Sequence, residues 1–205
     1  MADQVTTAVG GASTISEKTM MIHKDKLYAG YVAKLKEVGE KLKKLRDEIV
    51  IGTAPGGNVT YSDLRSLKDA ENFVTNAVYL HEWYFDVISG NGDFGQAPEL
   101  SKAISEKWGS VLNFIKYFSE GAMAARGWSV LAWNTKNGHI MQYNADAHNQ
   151  GAVWGCIPII VLDVYEHAYF IDFGADRKSY IEAYWRTFNW SAAEKMYLKV
   201  VGLTL

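Results

Sequence analysis

Ile157-Pro158-Ile159-Ile160-Val161-Leu162-Asp163-Val164-Tyr165-Glu166-His167 is the stretch that decides how this chain folds. Its first six side chains are aliphatic or proline, and the β-branched, nearly continuous run Ile157 to Val164 has the pattern of a buried central strand. Asp163 stands inside that run. An ionised carboxylate buried without a partner costs on the order of tens of kcal/mol by idealised Born reckoning. Asp163 is therefore paired, neutralised or bound to a metal. A blander reading has it capping a helix that carries His167, four residues on.

Working back toward the N-terminus, Trp128 to Trp133 and His139 to Tyr143 read as strands around the turn Lys136-Asn137-Gly138. Pro98 to Lys107 and Gly109 to Ala125 read as helices. Forward of the deciding stretch, helices are expected over about Ala175 to Phe188 and Ser191 to Val201. The first half differs. From an N-cap at Ser16, Tyr28, Tyr31, Leu35, Val38, Leu42, Leu45 and Ile49 form one apolar seam of a helix ending near Ile51. The turn Gly52 to Asn58 follows, then a second helix from Ser62 or Asp63 to about Ile88. Phe73, Ala77, Leu80, His81, Tyr84 and Ile88 make its stripe, and Gly90, Gly92 and Gly95 end it. The fold class is α+β: an N-terminal antiparallel helical hairpin, then a C-terminal α/β lobe with a three-stranded antiparallel sheet. The expected domains are 1–95, including a loose Gly/Ala/Ser/Thr-rich arm over 1–14, and 96–205.

Composition narrows the class. At 205 residues and 48% hydrophobic content the chain can bury a substantial core, and three prolines do not suit a disordered chain. A net charge of −2 argues against nucleic acid. No apolar run spans a bilayer, and the N-terminus lacks the pattern of a signal peptide. One cysteine, Cys156, allows no internal disulfide and fits a reducing, cytoplasmic setting. It reads as a small hydrophobe.

Three histidines share the apolar context of Asp163. His81 lies on the inner stripe of the second helix. His23 leads the first, sharing a face with Leu27 and Tyr31 at i, i+4, i+8. His167 follows Asp163. His139 is read as a turn residue. A single buried histidine is ordinarily a satisfied core residue. Three with a carboxylate pose one joint question, and one cation answers it. Three nitrogens and one oxygen suit iron or manganese better than a structural or catalytic zinc. Two decoys drop out. His81-Glu82 does not continue to HExxH, because position 85 is Phe, and the GxGxxG match from Gly90 to Gly95 follows a helix rather than a strand.

Asp163-Val164-Tyr165-Glu166-His167-Ala168-Tyr169 resembles the DxWEHAYY signature of the iron/manganese superoxide dismutases. Tyr180 to Trp185 with Asn189-Trp190 resembles that family's ending, and Gly127-Trp128 its GW strand. His81 to Phe85 and Ser16 to His23 with Tyr31-Val32 are similar to its ligand-bearing helices. The likeness runs over roughly residues 15 to 203. It implies one Fe or Mn ion per subunit on His23, His81, Asp163 and His167, with superoxide as substrate. It further implies a homodimer or homotetramer, with Glu166 reaching the partner's His167 across the interface. Tyr31 would stand at the substrate funnel, and Trp128, Trp83 and Trp185 would form an aromatic shell. For the group beside the metal-bound solvent the family uses Gln or His. Ala77 occupies one Gln position, and His148, fifteen residues before Asp163, is favoured over Gln150. Lys26 and Arg177 are candidates for steering an anion.

The chain also departs from the family pattern. Leu27 and Phe170 replace a His and a Tyr that usually pair across the dimer, Tyr165 replaces the usual Trp, and Val130 replaces another. These departures motivate an alternative, a weak or inactive metal-binding homologue with a structural or regulatory role.

Overall fold

The computed structural model describes residues 14–204. The arm expected over 1–14 lies almost wholly outside them. Helix α1 (Glu17–Ile22) starts where Ser16 Oγ accepts the Thr19 amide at 3.1 Å, as its sequence position requires. The expected single helix is then interrupted. His23–Tyr28 form one π-helical turn before α2 (Ala29–Val50) resumes. Eight residues of α-helix would set His23 and Tyr31 about 80° apart around the axis. A π turn absorbs one residue and reduces that to about 20°. The face shared by His23 and Tyr31 therefore exists, but the winding that creates it is not the i, i+4, i+8 pattern.

After the turn at Gly52, Ser62 caps α3 (Asp63–Val87), which packs back along α2. Val74, Ala77, Val78, Leu80, His81 and Tyr84 form its buried side. Gly90 closes that helix against the C-terminal lobe, where a Cβ would meet the Phe188 carbonyl oxygen at 2.4 Å. Helices α4 (Pro98–Trp108) and α5 (Val111–Ala124) lead to β1 (Trp128–Asn134), β2 (His139–Ala145) and β3 (Cys156–Asp163). The short α6 (Phe170–Phe173), α7 (Arg177–Arg186) and α8 (Trp190–Val200) complete the chain. The α+β class and the three-stranded antiparallel sheet are as expected.

The position of β3 is not. The strand order is β2-β1-β3, so β1 is central and β3 lies at an edge. Its continuous apolar run reports burial on both faces rather than two paired neighbours, because helices cover it. Pro158, which has no N–H to give a ladder, fits an edge strand, and the register shifts beside it between Leu131 and Ala132. The open edge is closed by phenols from α7: Tyr184 donates to the Val161 carbonyl at 3.0 Å and Tyr180 to that of Asp163 at 2.7 Å. These bonds satisfy edge groups that would otherwise be buried unpaired.

A second buried carboxylate is structural. Glu194 of α8, 7% exposed, accepts the amides of Glu99 and Leu100 at 3.0 and 2.8 Å, capping α4. Glu194→Ala should lower unfolding free energy by about 1–3 kcal/mol in urea titrations.

Candidate metal centre

Four elements deliver one donor each to a common point. The π turn brings His23, the buried side of α3 brings His81, the last residue of β3 is Asp163, and the 3₁₀ turn Glu166–Ala168 holds His167. One ligand atom from each lies within 4.8 Å of all the others. Asp163 Oδ2 is 3.2 Å from His23 Nε2, 3.6 Å from His81 Nε2 and 3.0 Å from His167 Nε2. His23, His81 and Asp163 are fully buried, while the His167 side chain is 26% exposed.

The donor chemistry fits a cation. His81 gives its Nδ1 proton to the Ala77 carbonyl at 2.6 Å, which leaves the Nε2 lone pair bare. That Nε2 and both ring nitrogens of His23 are buried without a hydrogen-bond partner. Buried polar atoms are seldom left in this state. Burial, only partly opposed by Asp163, pushes the His81 pKa down to about 4, so the ring is neutral and able to ligate near pH 7. Burial alone would raise the Asp163 carboxyl, but His167 and His23 reverse that and hold it below the ordinary carboxylate range. His167 is held above its usual value, because Asp163 outweighs the effect of burial.

A further group of residues surrounds this point. Tyr31 packs on His81 with ring centroids 5.3 Å apart, and its hydroxyl lies 3.2 Å from His148 Nε2. Trp128 donates its indole N–H to His148 Nδ1 at 3.0 Å. His148 is 3% exposed, whereas Gln150 is on the surface. Glu166 is also exposed, on the rim of a cleft of about 640 Å³ lined by Tyr165, His167, Arg126 and Arg177. Arg177 is held in place on that rim and keeps its charge. Its Nη1 donates to the Ala125 carbonyl at 2.7 Å and its Nε to Tyr169 Oη at 3.2 Å. Lys26 is exposed on the π turn.

The aromatic shell is built from other residues than expected. Trp128, paired across the ladder with Asp163, does pack on His81, at 5.1 Å. Trp83 packs instead on Tyr79, and Trp185 on Phe114, Phe118 and Trp190. Their places are filled by Tyr84 and Phe85, at 5.3 and 5.2 Å from His23, and by Tyr165, stacked on His167 at 5.3 Å. The spacing of Tyr84 and Phe85, three and four residues after His81 on one helix, was the available signal. Phe73 shares the stripe of His81, but nothing in the sequence pairs it with His148, 4.6 Å away, because the loop holding His148 is remote in sequence.

Residues 96–196 match the family model described as iron/manganese superoxide dismutases, C-terminal domain. A superoxide dismutase (Fe) of Aquifex pyrophilus is 34% identical over 187 residues, 91% of this chain and 86% of that protein. A superoxide dismutase (Mn) of Haloarcula marismortui is 32% identical over 190 residues, covering 92% and 88%. This chain belongs to the iron/manganese superoxide dismutase family. It is thus a member of an oxidoreductase family whose curated relatives carry either metal in their names, and its clustered donors are a candidate site for one of them.

Asp163→Asn should weaken metal retention by more than the roughly 10–100-fold that loss of an outer-shell partner costs. Chelator competition measures this. In metal-free protein the same change should destabilise folding by about 3–5 kcal/mol, because it removes one partner of a buried pair.

Proposed function

We propose that this chain is a working superoxide dismutase, holding one iron or manganese ion per subunit on His23, His81, Asp163 and His167. The observation that carries this reading is the convergence of four donors, with orphaned imidazole nitrogens among them, in a chain of this family. The bound metal supplies the one-electron couple by which one superoxide is oxidised to oxygen and a second, with two protons, is reduced to hydrogen peroxide.

The protein's own groups bind, dry and protonate. Tyr84, Phe85, Trp128 and Tyr165 wall the site and keep bulk water from His23 and His81. Tyr31, whose phenol is held above its usual pKa by burial and then by the Asp163 charge, remains a proton carrier near neutral pH. His148 orients Tyr31 and stands as the outer-sphere residue in preference to Gln150. Glu166 acts from a second copy: in a homodimer it reaches the partner's His167, fixing that imidazole's orientation and basicity. The exposed Phe170 and Ile171, 56% and 48% accessible, lie close by in sequence and suit such an interface. Pairing of dimers into tetramers is the alternative assembly. The free Cys156 supports a cytoplasmic setting. The division at residues 95 and 96 separates a hairpin bearing two imidazoles from a lobe bearing the other two donors.

Leu27 and Phe170 favour one competing reading, a metal-holding homologue without turnover. Protein reconstituted with iron or with manganese, assayed by pulse radiolysis at known metal content, decides between them. We expect superoxide removal well above free-metal controls for at least one metal. Stoichiometric metal with control-level decay would establish the competing reading.

A further inference from the structure

Taking the site as the dismutase centre proposed above, we infer that Trp128 is a positioning residue that locks His148 into its Nε2–H tautomer. Tyr31 is thereby left as the last proton donor of a chain that ends at the indole.

The inference follows from donor and acceptor counting. An indole N–H can only donate. The Trp128 N–H lies 3.0 Å from His148 Nδ1, so Nδ1 carries no proton. A neutral imidazole holds one proton, which is then on Nε2. An imidazolium would set two N–H groups against each other at that distance. His148 Nε2 therefore donates to Tyr31 Oη across 3.2 Å, and the reverse bond is closed. With its oxygen already accepting from His148, Tyr31 directs its own O–H away from that imidazole.

Two consequences follow. A carboxamide in the place of His148 would offer two N–H groups, whereas the locked imidazole offers one. No proton passes through His148, because among the described residues the group hydrogen-bonded to its Nδ1 is an indole with no lone pair to receive one. Tyr31 must be reprotonated from water rather than from behind His148. Burial preserves the arrangement: Trp128 is 0% and His148 3% exposed, and Phe73 and Tyr165 pack against the imidazole at 4.6 and 5.3 Å.

The test is long-range proton–nitrogen correlation NMR on ¹⁵N-labelled full-length chain loaded with zinc, which is diamagnetic. The His148 signals are assigned by their loss in His148→Gln. We expect a bare Nδ1 and a protonated Nε2 across the neutral range. A protonated Nδ1, or two tautomers in exchange, overturns the inference. Trp128→Phe should release the ring into a tautomer mixture, and retention of a single Nε2–H form there also overturns it. Should Trp128→Phe fail to fold, Tyr31→Phe removes the other partner. The Nε2–H form must then persist, and its loss counts against Trp128. Failure of the metal reading is seen separately, as unshifted nitrogens of His23, His81 and His167 when zinc is added.

Discussion

A carboxylate with no access to water governs this structure. Asp163 is placed at the end of a strand buried on both faces, and its charge persists there only because imidazoles surround it. Those imidazoles come from three separate segments, so the charge of one residue dictates how the hairpin and the sheet meet. The backbone around it is equally committed. The Asp163 carbonyl takes the Tyr180 hydroxyl, its Oδ1 takes the Tyr165 amide at 2.9 Å, and its neighbour across the ladder is Trp128. A shift of β3 by one residue would turn Asp163 to the opposite face and break every one of these contacts.

The hairpin answers with an irregularity. A regular first helix would carry His23 and Tyr31 on divergent faces. The π turn brings them round together, so that one reaches the carboxylate and the other reaches His81 and His148. The amide of Ser16 at the start of that helix is held by Asp172 at 2.8 Å, just beyond the turn that carries His167. Both ends of the donor set are thus fixed to one another through the Asp172 carboxylate.

Much of this was legible in the sequence, for physical reasons that also explain the failures. Periodicity located α2 and α3, because burial imposes it, while a turn signal and a continuous apolar run located the sheet strands. Asp163 and His81 stood out because a polar group on an apolar stripe demands a partner. The π turn left no such mark: His23, Leu27 and Tyr31 keep a regular helical spacing whether or not the backbone inserts a residue between turns. β3 reads as a central strand because an apolar run records what covers a strand, not how many strands flank it. Trp83 and Trp185 enter the expected shell through resemblance alone, whereas Tyr84 and Phe85 pack on His23 and Tyr165 on His167.

The central claim is that three imidazoles and one carboxylate share a single metal ion. X-ray absorption fine structure on the iron- or manganese-loaded chain tests it most directly. The account predicts a nitrogen and oxygen shell, free of sulfur, with the outer-shell scattering of three imidazole rings, and that shell lost in Asp163→Asn. A spectrum showing fewer than two imidazoles, or one unchanged by that substitution, would contradict it.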